Sequence, residues 1–129
     1  MESYFLIYTS ENSNFKVYLN ISNSEVSKKF SELSRKPKLM NKFLLIIKAV
    51  ESNEHNRTQF NHEDECDYGR IFAIKINEHR LYTIVHNDKG IRNLYISRYG
   101  RKQSQKNDKN IKSIIDSIRK IIIHKPMEC

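Results

Sequence analysis

The stretch from Arg70 to Tyr99 constrains the fold more than any other part of this sequence. Within Arg70-Ile-Phe-Ala-Ile-Lys-Ile76, the side chains of Phe72, Ile74 and Ile76 fall on one face of an extended chain, and those of Ile71, Ala73 and Lys75 on the other. Arg80 to His86 and Ile91 to Tyr99 read as two further strands. Asn77-Glu78 suits a tight turn, and Asn87-Asp-Lys-Gly90 has the composition of a hairpin loop. Parallel neighbours need crossovers of about a dozen residues, which neither connection has, so the three strands are predicted to form an antiparallel meander.

Upstream, Phe15-Lys-Val-Tyr-Leu-Asn20 alternates as a strand, and Tyr4 to Tyr8, within residues 1–14, reads as an additional one joined to it by the turn Ser10 to Asn14. Ser22-Asn-Ser-Glu25 has the pattern of a capping box, followed by Val26, Phe30 and Leu33 at helical spacing. Pro37 ends that helix, and Leu39, Phe43, Ile46, Ile47 and Val50 form the stripe of a second helix that folds back on the first. Residues 51–67 are polar and acidic and are expected to be an exposed loop, with room for a short strand at Thr58 to Phe60. Ile111, Ile114, Ile115, Ile118, Ile121 and Ile122 mark a C-terminal helix that begins near Asp108 and is closed by Pro126. At 129 residues the chain has the size of one domain, residues 1–129. The expected architecture is α+β, in the order β-α-α-β-β-β-α, with an antiparallel sheet, an N-terminal helical hairpin and a C-terminal helix, the helices gathered on one side.

Charge is divided unevenly over this frame. Residues 70–125 hold fourteen Lys/Arg against four Asp/Glu, whereas residues 1–69 hold nine against ten. Cations spaced along strands make a fixed positive surface, and nucleic acid is the commonest polyanion to meet one. The longest apolar run, Phe43 to Ile47, is five residues, so no membrane span is expected. The acidic start Met1-Glu2 lacks a cationic leader pattern, which points to the cytoplasm. Cys66 and Cys129 have no metal-knuckle or disulfide spacing and are expected to be free thiols. His62-Glu-Asp-Glu-Cys66-Asp67 has metal-ligand residue types but no second ligand pair, so a solvated acidic loop is expected and no metal. No glycine-rich phosphate loop or nucleophile elbow occurs, and no cofactor is expected.

Two stretches carry a family resemblance. Phe72-Ala-Ile-Lys-Ile-Asn-Glu-His-Arg-Leu-Tyr82 resembles the strand-turn-strand signature of the RelE/ParE toxin superfamily. Tyr95-Ile-Ser-Arg-Tyr-Gly-Arg-Lys-Gln-Ser-Gln-Lys-Asn107 resembles that family's closing motif, an aromatic residue, a pair of cations and a polar linker into the last helix. The ending is most similar to the HigB and phage-derived RelE-like branch. The resemblance implies the toxin of a type II toxin-antitoxin pair, acting as a ribosome-dependent mRNA endoribonuclease without a metal or other cofactor. Its partners would be mRNA, the ribosome and a cognate antitoxin, of the helix-turn-helix type in the HigB branch. The alternatives within the same fold are a ParE-like gyrase inhibitor and a non-catalytic RNA-binding protein.

By the same resemblance, Arg80 is the strand arginine that contacts the scissile phosphate, a task that suits its planar fork. The bland alternative is an ion pair with Glu78. Lys75 matches the lysine of the preceding strand, and Arg101 and Lys102 match the cation pair after the last strand. Arg92, Arg98, Tyr99 and Lys106 are candidates for RNA contact, Tyr99 through stacking or its hydroxyl. The sequence departs from cleaving members at Ala73, where they tend to carry a second cation, and residues 103–125 hold no tyrosine. The proton acceptor is therefore open. His86, on the face of Arg80, Tyr82 and Ile84 if alternation holds, is a candidate, and His79 lies at the turn.

Overall fold

The computed structural model describes residues 2–102, 108–121 and 123. The chain begins with an antiparallel hairpin of β1 (Tyr4–Thr9) and β2 (Phe15–Asn20), continues through helices α1 (Ser24–Ser34) and α2 (Pro37–Glu51), and then lays down β3 (Phe60–Cys66), β4 (Gly69–Ile76), β5 (His79–Asp88) and β6 (Ile91–Arg101) before α3 (Asp108–Arg119). All the strands join one sheet in the order β1-β2-β6-β5-β4-β3. The sheet is not antiparallel throughout as expected: β2 runs parallel to β6, a pairing made possible by the long stretch of chain between them, and every other neighbouring pair is antiparallel. The β4-β5-β6 meander is as the alternation predicts. Its second hairpin turns through Lys89 and Gly90, with φ of 51° and 82°, the left-handed pair that a two-residue loop between right-twisted strands requires.

Both faces of the sheet are covered. Val26, Phe30 and Leu33 of α1 and Phe43, Ile46, Ile47 and Val50 of α2 pack on Val17, Ile74, Ile76, Leu81, Leu94 and Ile96. On the opposite face, Ile115 and Ile118 of α3, with Ile121, cover Tyr18, Ile71, Ala73, Tyr82, Ile84 and Tyr95. The expectation that the helices gather on one side is thus wrong. The row Ile71, Ala73, Ile84 makes the second face apolar, and an apolar face must be buried against something.

The acidic stretch is also not a loop throughout. Phe60–Cys66 forms the edge strand β3, paired antiparallel with β4. Phe60 anchors it by stacking on Phe72, with ring centroids 4.4 Å apart and planes 8° from parallel. The carboxylates remain compatible with a strand because an edge is open to water, and edge charges discourage pairing with other chains. Asp64 is paired with Arg119 of α3, and Glu65 lies 3.9 Å from Arg70. The α1 cap falls one residue later than expected. Asn23 Oδ1 accepts from the Val26 N–H at 2.9 Å, while Ser22 Oγ is taken by the Ser3 N–H at 2.8 Å, so the hydroxyl ties β1 to the helix entry instead of capping it.

One irregularity positions the site below. Tyr82 pairs with Arg98 but Thr83 pairs with Ile96, so Ser97 is an extra residue, a β-bulge. Ser97 and Arg98 both turn toward the α3 side, Ser97 Oγ bonding the Tyr4 hydroxyl at 2.8 Å and Arg98 Nε donating to Ser117 Oγ at 3.2 Å. Tyr99 is thereby sent to the hairpin side, where it joins the α1-α2 core.

Candidate nucleic-acid interface at the turn end of the sheet

Ile76 and His79 are the last pair of the β4-β5 ladder, which leaves Asn77-Glu78 as a two-residue turn with Asn77 at φ 54°. Three other segments fasten this turn. Lys42 Nζ of α2 donates to Asn77 Oδ1 at 2.7 Å, the Lys102 N–H donates to the Glu78 carbonyl at 2.8 Å, and Arg80 Nη1 donates to the carbonyls of Asn77 and His79 at 2.7 and 2.9 Å. Glu78 is not Arg80's partner; its carboxylate lies 3.4 Å from Arg101 Nη2.

Register divides the expected site residues between two faces. Lys75, Arg80 and Gly100 lie opposite one another in a row across β4, β5 and β6. This row is on the α3 side, because a Cβ at Gly100 would come within 2.9 Å of the Tyr82 ring and 3.1 Å of Ile114 Cδ1. The Lys75 side chain has no hydrogen bond or ion pair among the described residues, and Arg80 Nε and Nη2 are likewise unengaged. Arg101 pairs across with His79, beside Ile76, on the hairpin side. Lys75, Arg80, Arg101 and Lys102 therefore meet at one end of the sheet, with Lys75 and Arg80 facing one way and Arg101 the other.

On the hairpin side, His79 Nδ1 is 2.6 Å from the Tyr99 hydroxyl, and its Nε2 is 3.5 Å from Glu78 Oε1. Lys29 Nζ of α1 sits 5.7 Å from the centroid of the Tyr99 ring, on its face. Burial, followed by the attraction of Glu78 and the repulsion of Arg101, Lys36 and Lys29, leaves the His79 pKa below its ordinary value. These surroundings favour the neutral form of the His79 imidazole. Burial raises the Tyr99 phenol. The Glu78 carboxylate is held low by its own backbone hydrogen bond first, then by His79, Arg101 and Lys36.

The other expected residues are placed elsewhere or are occupied. Arg98 is clamped by both Glu2 carboxylate oxygens at 2.7 and 2.9 Å with its side chain 15 % exposed, a structural pair and not a surface cation. Arg92 Nη1 donates to the Val50 carbonyl at 3.1 Å and to Asn53 Oδ1 at 2.9 Å, closing the C-terminal end of α2. It lies at the far end of β6, roughly 30 Å from Arg101 at the usual rise per residue. His86 shares the face of Arg80 as alternation implies, but six residues of strand put it roughly 20 Å away, where its Nδ1 contacts the Tyr68 carbonyl. Lys106 lies outside the described residues.

No family model, curated protein or solved structure matches this chain. Among the described residues, no three His, Cys, Asp or Glu side chains form a group that could hold a metal ion, and no helix is long and apolar enough to cross a membrane. Sequence reasoning missed the pairing of His79 with Tyr99 and the contributions of Lys29, Lys36 and Lys42. The bulge at Ser97 hides the first from strand alternation, and nothing local signals that Lys29 of α1 lies over the Tyr99 ring or that Lys42 of α2 reaches the Asn77-Glu78 turn.

Proposed function

We propose that this chain is a RelE/HigB-like toxin of a type II toxin-antitoxin pair, which binds mRNA in the ribosomal decoding site and cuts it by attack of a 2′-hydroxyl on the adjacent phosphate. The observation that carries this reading is that Lys75 and Arg80 on one face of the sheet and Arg101 on the other border one two-residue turn, to which Lys102 is tied by its backbone N–H and Lys42 of the hairpin by its Nζ. Cations fixed by a rigid sheet are what the extra charge of a pentacoordinate phosphorus needs, and in-line attack needs the substrate held still. Arg80 is partly pinned by the turn carbonyls, which pre-orients its remaining N–H groups toward a phosphate oxygen. The elements β2, α1, α2, β4, β5, β6 and α3 follow one another in the order the resemblance implies, while the sheet differs from that expectation in its two further edge strands, β1 and β3, and in the parallel β2-β6 pair. The cognate antitoxin would be a protein that covers this cationic end.

One observation favours binding without cutting, as a gyrase inhibitor or a non-catalytic RNA-binding member of the fold. Ala73, where cleaving relatives tend to carry a cation, is completely buried under α3 and brings no functional group to the surface. Inducible expression with mapping of mRNA 5′ ends separates the two. Cuts within translated codons that vanish with Arg80→Ala support the nuclease; growth arrest without cuts supports the alternative.

A further inference from the structure

The cations at the turn account for phosphate recognition but leave the attacking hydroxyl without a proton acceptor. We infer that His79 is that acceptor, with Nε2 as the receiving atom and Tyr99 and Glu78 as the groups that position it. This rests on the nuclease reading above and adds to it a residue that the motif resemblance does not supply.

His79 opens β5 directly opposite Arg101 of β6, so an RNA phosphate drawn to Arg101 and Lys102 lies beside the imidazole. The short contact between Nδ1 and the Tyr99 hydroxyl, 2.6 Å, fixes the plane of the ring. Either group can donate in this contact; in the tautomer whose Nδ1–H donates to the phenol oxygen, Nε2 carries a lone pair. That nitrogen makes no hydrogen bond of its own among the described residues; its neighbour is the Glu78 carboxylate at 3.5 Å. The side chain is 19 % exposed, enough for a substrate to reach and little enough to exclude most water.

The charges around the ring suit the task. Arg101 faces it from β6, Lys29 from α1, Lys36 from the α1-α2 junction and Glu78 from the turn, and Glu25 and Glu32 act on Tyr99 from α1. Burial and then the cations favour the neutral imidazole, the form able to accept a proton, while Glu78 stands where a newly formed imidazolium is stabilised. In the step itself, the 2′-hydroxyl proton moves to Nε2 and the O2′ lone pair forms the new bond to phosphorus. The bond from phosphorus to O5′ then breaks with its electrons on O5′, which takes a proton from water. The products are a 2′,3′-cyclic phosphate and a 5′-hydroxyl.

The test is single-turnover cleavage of a defined mRNA on programmed ribosomes across pH 4.5–8.5, for the full chain, His79→Gln and Glu78→Gln, with affinity for an RNA oligonucleotide measured in parallel. His79→Gln is expected to cut about 10²- to 10⁴-fold more slowly while binding the oligonucleotide as before, and to lose the acid limb of the pH profile. Glu78→Gln is expected to fold, to cut, and to move that limb to lower pH, because the carboxylate that favours the imidazolium has gone. A purely structural histidine would leave the limb in place. Cleavage by His79→Gln at the native rate and with the native profile overturns the inference alone. Absence of cleavage by the native chain at every pH overturns the nuclease reading and, with it, this role for His79.

Discussion

Glu2→Ala tests how the N-terminal hairpin is fastened to the rest of the sheet. Arg98 Nη1 and Nη2 donate to Glu2 Oε1 and Oε2 at 2.7 and 2.9 Å, Asn20 Nδ2 donates to Oε1 at 2.6 Å, and the two charged side chains are 15 % and 21 % exposed. Breaking a fully buried pair costs about 3–5 kcal/mol because the remaining charge is stranded, whereas exposed pairs contribute less than about 1 kcal/mol. This pair lies between those limits, so the loss is expected to be about 2 kcal/mol. With about 2.1 cal/mol/K of unfolding entropy per residue over the 129 residues, the midpoint falls by about 7 °C at neutral pH. The pH dependence has a definite sign. The hydrogen bond from Arg98 holds the Glu2 carboxyl below its ordinary value of 4.5 in the folded state, so its contribution is fully present above that pH and is lost as pH falls through the folded value. Thermal unfolding followed by circular dichroism at pH 7 and pH 3 measures both quantities. Equal midpoints for native and variant protein at pH 7, or a gap that persists unchanged at low pH, would refute the reasoning.

Two further stability measurements test other joints of the fold. Asn23→Ala removes the acceptor of the Val26 N–H and is expected to cost about 1 kcal/mol, read as a lower urea midpoint at unchanged slope, whereas Ser22→Ala leaves that cap intact. Gly69 has φ 155° and a Cβ there would lie 2.1 Å from the Val85 carbonyl oxygen, so Gly69→Ala must part β4 from β5 locally and is expected to cost about 1–3 kcal/mol in the same assay.

The strands and helices whose signal is local were legible. Phe72, Ile74 and Ile76 against Ile71 and Ala73 foretell the two faces of β4, and Pro37 opens α2 where helix sterics allow it, at the first position. β3 was not, because Glu63, Asp64 and Glu65 suppress the apolar alternation that marks a strand, and only pairing with β4 and the stack of Phe60 on Phe72 hold it. The cover on the second face was implicit in Ile71 and Ile84, but which helix provides it is a tertiary fact. At the site, the facing of Lys75 and Arg80 follows from alternation across a short turn. The facing of Tyr99 does not, since a single extra residue at Ser97 reverses every side chain after it. The same bulge turns Arg98, a plausible surface cation by spacing, into the partner of Glu2.

Whether the cationic end of the sheet cuts RNA is decided by the chemistry of the RNA ends made by the purified protein on ribosomes programmed with a defined mRNA. One cut in the decoding-site codon is expected, with a 2′,3′-cyclic phosphate upstream and a 5′-hydroxyl downstream, abolished by Arg80→Ala combined with Arg101→Ala. Intact mRNA, a 5′-phosphate at the cut, or full activity in the doubly substituted protein would contradict it.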